Sequence, residues 1–349
     1  MSKRAWPLFL TTRVAFVALG AASCSRGPDP KLLYTSTEAG GEVVVVDPET
    51  SMVQARIPVG KRPRGLKVSR DGKLLFVALS GSPRGGPNVD ESKLPPGDRS
   101  ADGIGVVDLK EKKLLRTFPS GQDPETFDLS LDGKTLYISN EETAELSVLD
   151  VEDGKITHKV AVGKEPEGVT VRPDGKFVYV TSEEDGIVSV VDTSTFAVVA
   201  TIAADKRPRG VTFTKNSSLG FICNELGGSV TVFDAQKNVP TSTIKLEGTK
   251  PLQYRPMNSV LSPDEKWLYV STGRGGAVAV INVEKRALDH LIENVGARPW
   301  GLSLSPDGKH LFTANGSSDD LSIVDPSTGK VESQVKVGGL PWGVITGAH

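Results

Sequence analysis

The chain has 349 residues, of which 24% are charged, and its formal net charge at pH 7 is −2. Because there is no excess of basic residues, nothing in the composition indicates nucleic-acid binding. Two cysteines, Cys24 and Cys223, are too few for a disulfide-rich scaffold. The four histidines do not occupy equivalent positions along the chain, so we expect neither a zinc site nor a pair of haem ligands.

The first 24 residues have the pattern of an export signal. Basic residues precede a short apolar run over residues 14–22, and small residues follow it. Cys24 comes directly after them and resembles the cysteine of a bacterial lipobox, although Ala21 stands where leucine is usual. We expect cleavage and lipidation at Cys24, a tether over residues 25–31 and a periplasmic location. An ordinary cleaved signal, with Cys24 incidental, is the alternative.

From Leu32 onward the chain repeats a four-strand unit. One copy, residues 164–205, holds four β-rich runs separated by turn-forming sequences: Gly168–Arg172, Phe177–Thr181, Ile187–Val191 and Ala197–Ile202. A proline that opens the first run recurs at Pro63, Pro124, Pro166, Pro208, Pro256, Pro299 and Pro341. A four-stranded repeat of about 40 to 45 residues is typical of a propeller blade.

The two ends of the repeat region complete one another. Strands predicted over Leu32–Ser36, Glu42–Asp47 and Val53–Val59 match the second, third and fourth strands of the unit, and residues 341–346 supply a lone first strand. Together they form one further blade beside six full repeats, which removes open sheet edges. The sequence therefore predicts an all-β fold, a seven-bladed β-propeller over residues 32–349 with four-stranded antiparallel blades.

An insertion over residues 81–101 lengthens the second blade. It is rich in proline, glycine and charged residues and joins the second strand to the third. In an antiparallel meander this loop emerges at the same end as the joints between blades. We therefore expect it to overhang the face where the joint prolines gather, either as a lid or recognition loop or as a surface insertion without a role.

Two motifs recur within the repeat. Second strands read Tyr179-Val180-Thr181-Ser182 and Tyr137-Ile138-Ser139-Asn140, and joints follow the pattern G-x-x-P-x-G, as in residues 60–65. These motifs resemble those of the YVTN family of seven-bladed propellers, in particular the subgroup associated with PQQ-dependent catabolism. The resemblance implies a protein that accompanies a periplasmic quinoprotein oxidation system and needs no cofactor of its own.

The joints bring charged and aromatic residues to one mouth of the central channel. An arginine beside the ring of a tryptophan can bind a planar anion, because the guanidinium group donates two parallel hydrogen bonds and the ring provides a surface for stacking. The ligand-binding candidates are Arg255, Arg298, Trp300, Trp342, Arg62 and Arg207. Arg255 and Arg298 have no obvious acidic neighbour at the joints. For Arg64 with Glu125, and for Glu167 with Arg209, pairing between neighbouring blades is the favoured interpretation.

Catalysis is the second hypothesis. The sequence has no Ser/His/Asp arrangement, no phosphate-binding glycine loop and no histidine at the mouth. A propeller lactonase would gather carboxylates around a metal in the channel, and Asp123, Glu125 and Glu167 could serve there. The main hypothesis is an exported, lipid-anchored, monomeric and non-catalytic propeller that binds a small anionic ligand or a periplasmic protein partner. A lactonase-like hydrolase is the alternative.

Overall fold

The structure is a computed structural model that describes residues 1, 31–85, 89, 93–248 and 253–347. Within these residues the chain forms seven four-stranded antiparallel sheets, as predicted. The predicted signal and tether lie outside the described residues apart from Met1 and Lys31, so lipidation at Cys24 stays a prediction. No helix in the described part of the chain is long and apolar enough to cross a membrane.

Each sheet is one blade of the propeller, and the blades follow one another in chain order. Blade 1 holds β1 (Leu33–Thr37), β2 (Glu42–Asp47), β3 (Met52–Pro58) and, from the C-terminus, β28 (Pro341–Thr346); blade 2 holds β4 (Pro63–Val68), β5 (Leu74–Leu79), β6 (Gly103–Asp108) and β7 (Lys113–Phe118); blade 3 holds β8 (Pro124–Leu129), β9 (Thr135–Asn140), β10 (Glu145–Asp150) and β11 (Lys155–Ala161); blade 4 holds β12 (Pro166–Val171), β13 (Phe177–Ser182), β14 (Ile187–Asp192) and β15 (Val198–Ala203); blade 5 holds β16 (Pro208–Phe213), β17 (Leu219–Asn224), β18 (Ser229–Asp234) and β19 (Val239–Lys245); blade 6 holds β20 (Ser259–Leu261), β21 (Trp267–Ser271), β22 (Val278–Asn282) and β23 (Ala287–Ile292); blade 7 holds β24 (Pro299–Leu304), β25 (Leu311–Asn315), β26 (Asp320–Asp325) and β27 (Lys330–Lys336).

Blade 1 is built from both ends of the chain, which confirms the predicted closure. β28 pairs antiparallel with β1, with Tyr34 opposite Ile345. The Thr35 hydroxyl also donates to the carbonyl of Gly343 at 2.7 Å. β28 further contacts β4 and β24, the first strands of the two neighbouring blades. The ring is therefore held shut by hydrogen bonds between the two ends of the fold.

The core lies in layers between adjacent blades. β2 buries all four valines between its end residues, and β13 buries five of its six residues, because a middle strand has a neighbouring blade on each face. The outer strand β3 buries only Ile57 and otherwise alternates between half-buried and exposed residues. Second and third strands therefore read as nearly continuous apolar runs, whereas fourth strands alternate.

The polar residue of the second-strand motif joins neighbouring blades. Its hydroxyl donates to the carbonyl of the residue that follows the next joint proline: Ser36 to Arg64 at 2.6 Å, Ser139 to Glu167 at 2.7 Å and Ser271 to Trp300 at 2.8 Å. Each of these hydroxyls is buried and is satisfied by backbone carbonyls; those of Ser139 and Ser271 also lie 3.0 and 3.3 Å from the carbonyls of Thr126 and Asn258. The hydroxyl of the motif therefore has a structural role, because it holds in place the backbone of residues at the channel mouth.

Six of the seven joint prolines open a strand, and the residue before each has a positive φ, for example 59° at Arg298. The prediction that Pro256 also opens a strand was wrong, because β20 begins at Ser259. Arg255, before that proline, does not have a positive φ, so the chain does not turn there as it does at the other joints. At this joint, isolated backbone hydrogen bonds replace the regular pairing of two strands: the amide of Arg255 donates to the carbonyl of Thr272 at 3.0 Å.

Cys223 lies in β17 and is fully buried. Burial raises the pKa of its thiol to about 12. The prediction of a buried thiol is confirmed, and the raised pKa disfavours the thiolate, which is the reactive form.

Candidate functional site

A cavity of about 690 Å³ lies where the joints and the loops between second and third strands converge. Every blade contributes charged or aromatic side chains to its lining: Glu38 and Trp342 from blade 1, Arg62 and Arg64 from blade 2, Asp123, Glu125 and Glu141 from blade 3, Glu167 from blade 4, Arg207, Arg209 and Glu225 from blade 5, Arg274 from blade 6, and Arg298 and Trp300 from blade 7. The joints thus meet at one mouth of the channel.

Described residues of the insertion also lie at this mouth. Arg62 donates to the carbonyls of Ser82 and Pro83 at 2.7 and 3.1 Å. Lys61 pairs with Asp98 at 2.7 Å, and Arg99 reaches across to Glu142 of blade 3. The insertion is therefore anchored to blades 2 and 3 beside the cavity.

Arg64 pairs with two carboxylates in the acidic part of the cavity, which we call the floor of the mouth. Its guanidinium is 2% exposed and forms ion pairs with Asp123 and Glu125, which confirms the predicted pairing with Glu125. Burial alone would raise the pKa of Asp123, but the charge of Arg64 and a hydrogen bond from Ser80 at 2.5 Å hold it below its ordinary value. The charge of Arg64 thus favours the ionised form of Asp123 in spite of its burial.

Arg209 is the centre of a second ion-pair network. It pairs with Glu167, as predicted, and also with Glu183 and with Glu225 at 2.7 Å. Burial, followed by the charge of Glu167, raises the pKa of Glu183 well above its ordinary value, whereas the pKa of Glu167 is lowered by Arg209 despite its burial. Burial thus favours the neutral form of Glu183, whereas Arg209 favours the ionised form of Glu167.

Glu141 is the remaining acid of the floor. Its carboxylate lies within 4.8 Å of those of Asp123 and Glu125. Burial is the main reason that its pKa is raised to about 8, and the negative charges of Asp123 and Glu167 add to the shift. Near neutral pH, Glu141 is thus mostly a neutral carboxylic acid.

The grouping of three carboxylates differs from the one expected for a metal. Glu141, and not Glu167, stands with Asp123 and Glu125, because Glu167 is held by Arg209. A cation there would compete with Arg64, which already occupies two of the three carboxylates. The donor set consequently fits an arginine clamp better than a resident metal ion.

The opposite side of the mouth is basic and aromatic. The guanidinium of Arg298 lies 4.8 Å from the centroid of the Trp300 ring, and the rings of Trp300 and Trp342 lie 5.5 Å apart at an angle of 35°. Burial lowers the pKa of Arg298, and the charges of Arg209 and Arg274 lower it further. Arg298, Trp300 and Trp342 therefore form one contiguous surface, the aromatic arc, which does not include the fourth candidate, Arg255.

The other predicted arginines are engaged elsewhere. Arg62 pairs with Glu38 at 2.9 Å, and Arg207 pairs with Glu183 and, at 3.5 Å, with Glu225. Arg255 lies 3.8 Å from Glu225, and its Nε and Nη1 atoms are buried without a hydrogen-bond acceptor among the described residues. Arg62 and Arg207 are thus less available to a ligand than Arg298, and Arg255 does not line the cavity.

Sequence reasoning missed four residues of the mouth: Glu141, Glu183, Glu225 and Arg274. All four lie on loops between second and third strands, whereas the joints alone were searched. A signal was present, because a glutamate directly follows the second-strand motif in three consecutive blades, at Asn140-Glu141, Ser182-Glu183 and Asn224-Glu225. Arg274 lies in a 3₁₀ turn, Gly273–Gly275, that has no such repeat.

Comparison with known families gives two partial matches. The model of the family "Lactonase, 7-bladed beta-propeller" matches residues 195–344, and that of "Choice-of-anchor I domain" matches residues 25–198. Antigen Lp49 from Leptospira interrogans is 32% identical over a match that covers 32% of this chain and 31% of that protein. This chain thus spans about a third of the length of that relative.

Solved structures show the same fold. Hydrazine synthase from Kuenenia stuttgartiensis superposes with a TM-score of 0.73 at 20% identity, covering 86% of this chain and 94% of that one. A protein proposed to be a 6-phosphogluconolactonase, from Bacteroides fragilis, gives a TM-score of 0.72 at 19% identity, covering 90% and 98%. The chain is therefore a seven-bladed β-propeller with lactonase-like relatives, and these identities bear on the fold alone.

Proposed function

We propose that the mouth of this propeller binds a small planar anion, and that the protein acts as a non-catalytic binding component. The observation that carries this is the guanidinium of Arg298, which lies 4.8 Å from the centroid of the Trp300 ring and lines a cavity of about 690 Å³. Among the described residues, no carboxylate lies within ion-pair distance of it. A guanidinium that lies against an aromatic ring, with no carboxylate partner among the described residues, can form charge-assisted bidentate hydrogen bonds with a carboxylate that enters beside it.

The chemistry of the arc defines the ligand. Arg298 supplies a planar fork that matches a carboxylate, and Arg274 adds a second positive charge that lowers the pKa of Arg298. Trp342 extends the aromatic surface beside Trp300, on which a flat ring can stack. A planar ring that carries a carboxylate satisfies both features.

We further propose that the protein is an exported, lipid-anchored monomer that serves a periplasmic quinoprotein oxidation system. The basic leader with Cys24 supports export, and the resemblance of the repeat motifs to the PQQ-associated propellers supports the setting. In that setting the bound anion is a substrate or product of the oxidation, or an acidic group of a protein partner.

Tryptophan fluorescence tests the proposal, because two tryptophans line the cavity. We expect benzoate to change the emission in a saturable way and benzamide, its uncharged isostere, not to do so. Arg298→Gln should weaken benzoate binding about tenfold or more while leaving Tm nearly unchanged. Arg286→Gln removes an equal charge from an exposed site and serves as the control. The proposal is contradicted if Arg298→Gln binds benzoate as tightly as the wild type does, or if benzoate causes no saturable change in the fluorescence of the wild type.

A lactonase-like hydrolase is the second candidate, favoured by the family match over residues 195–344. Asp123, Glu125 and Glu167 are engaged by arginines, so Glu141 would have to act as general base. Hydrolysis of 6-phosphogluconolactone or gluconolactone, followed by acid release in a pH-stat, should then rise with pH toward 8 and vanish in Glu141→Gln. A wild-type rate equal to that of buffer alone excludes this candidate.

A further inference from the structure

The floor of the mouth contains more acids than bases. Six carboxyl groups meet four arginines there: Asp123, Glu125, Glu141, Glu167, Glu183 and Glu225 face Arg64, Arg207, Arg209 and Arg255. Uncompensated charge is costly at buried sites, so this excess of acids favours the neutral form of some of them. Two of the six, Glu183 and Glu141, have raised pKa values.

Burial raises the pKa of Glu183, and its hydrogen bond to Glu167 helps to lower the pKa of that residue, so Glu183 donates within the floor. Glu141 is the second acid with a raised pKa. Its two carboxylate neighbours, Asp123 and Glu125, are already paired with Arg64. Glu141 itself lines the cavity, so its hydroxyl is the donor that the floor offers to a ligand.

We propose that Glu141, as a neutral carboxylic acid, donates a hydrogen bond to an uncharged carbonyl or ester oxygen of the ligand whose carboxylate is bound by Arg298. This inference rests on the proposed function and narrows its ligand class to carboxylic acids that carry a ketone, ester or lactone oxygen at their other end. Both residues line one cavity, so one ligand can contact both of them. Glu141 then determines specificity, and Arg298 provides the charge contact.

This donor depends on pH. Burial, together with the charges of Asp123 and Glu167, raises the pKa of Glu141 to about 8, against the opposing charges of Arg64 and Arg209. Below that pH the group is protonated and donates to an acceptor oxygen. Above it the group is an anion, which repels the same oxygen. The preference for a carbonyl-bearing ligand should therefore disappear as the pH rises through 8.

Two probes of matched shape test the inference. 4-Acetylbenzoate carries a carboxylate and a ketone at opposite ends of its ring, and 4-isopropylbenzoate replaces the ketone by an apolar group. Both probes stay anionic from pH 6.5 to 9.5. At pH 6.5 we expect the wild type to bind the acetyl compound about 3- to 10-fold more tightly, and at pH 9.5 we expect that preference to be lost.

Substitutions at Glu141 separate its role from simple packing. Glu141→Gln keeps a donor that does not titrate, so it should retain the preference at both pH values. Glu141→Ala should lose the preference at both, and Glu145→Gln, an ion-paired acid at the edge of the same loop, should behave as wild type. The glutamine variant also keeps the size of the side chain, so the test does not depend on the alanine variant folding.

Three outcomes would overturn the inference: equal affinity for the two probes at pH 6.5, a preference that persists unchanged at pH 9.5, or Ca²⁺ or Mg²⁺ binding that displaces the probes and is lost in Glu141→Gln. If both probes bind equally but Arg298→Gln weakens both, only the role of Glu141 fails. If Arg298→Gln changes neither affinity, the proposed function itself fails.

Discussion

The guanidinium of Arg209, from blade 5, lies 5.0 Å from the centroid of the Trp300 ring, from blade 7. Two blades that are not neighbours in the ring thus meet over the channel. Arg209 also holds Glu167, Glu183 and Glu225, so the same residue contacts the acidic floor and the aromatic arc. A substitution among the acidic residues of the floor should therefore also change ligand binding at the aromatic arc, because Arg209 contacts both.

Removing Arg209 should destabilise the protein strongly. The side chain is 8% exposed, and its loss leaves three buried carboxyl groups, those of Glu167, Glu183 and Glu225, without the guanidinium that they share. Breaking a buried ion pair by removing one partner costs about 3–5 kcal/mol. We expect a loss of that size for Arg209→Gln in urea unfolding at pH 7, and a smaller loss at pH 5, where the acids can protonate.

A double variant provides the control for Arg209. Arg209→Gln combined with Glu167→Gln removes one charge of each sign, so it should recover part of the lost stability. If the double variant is no more stable than Arg209→Gln, unpaired charge is not the reason for the loss.

Stability should fall as the pH rises from 5 to 8. Glu141 and Glu183 have pKa values raised above the ordinary 4.5, so in this range the folded state binds protons that the unfolded state has released. Their contribution is therefore most favourable below pH 4.5 and is lost as the pH rises through the raised pKa. Urea unfolding midpoints should show this decline, and Glu141→Gln should make it shallower. An equal slope in the variant would mean that Glu141 does not titrate in this range.

Closure of the ring should depend on the last strand. Deleting residues 341–349 removes β28 and exposes the edge of β1, whose partners include Val344 opposite Thr35. We expect aggregation or a large loss of stability, because an open and apolar sheet edge invites pairing with other chains. Size-exclusion chromatography and thermal unfolding measure both effects. A monomeric truncated chain with unchanged Tm would contradict the closure.

The fold could be predicted from the sequence because propeller blades repeat. Pro166 and Asp192 mark the start of a first strand and the end of a third in one unit, and the same spacing along the chain located the other units. Pro256 was misplaced because its joint lacks the left-handed residue that precedes the other joint prolines. Backbone conformation at a single position is not visible in a repeat pattern.

The site was predicted only in part. Arg64 with Glu125 could be paired because adjacent joints bring them together. The contact of Arg209 with Trp300 spans nonadjacent blades, and sequence order contains no information about which side chains cross the channel. The protonation of Glu141 depends on burial among several charges, which only the assembled ring creates.

Export should be visible in the mature N-terminus. In a bacterial host we expect the chain to be cleaved before Cys24 and to carry lipid on that residue, because the basic leader and apolar run precede it. Mass spectrometry of the purified protein measures the mass of the N-terminal peptide. Retention of Met1, or an unmodified N-terminus elsewhere, contradicts the lipid anchor, and Cys24→Ser should release the protein from the membrane fraction.

Arg274 should weaken stability and strengthen binding at the same time. The positive charge of Arg274 helps to lower the pKa of Arg298, so the two cations repel each other. Arg274→Gln removes that repulsion and should leave the free energy of unfolding unchanged or raise it by up to about 0.5 kcal/mol. The same change should weaken benzoate binding about 3- to 10-fold, because an anion between two arginines gains from both. The loss should shrink as salt rises from low ionic strength, since part of it is screened. Arg286→Gln, with the same change in net charge, should alter neither quantity. A destabilised Arg274→Gln variant with wild-type benzoate affinity would show that Arg274 is a structural residue and not part of the anion site.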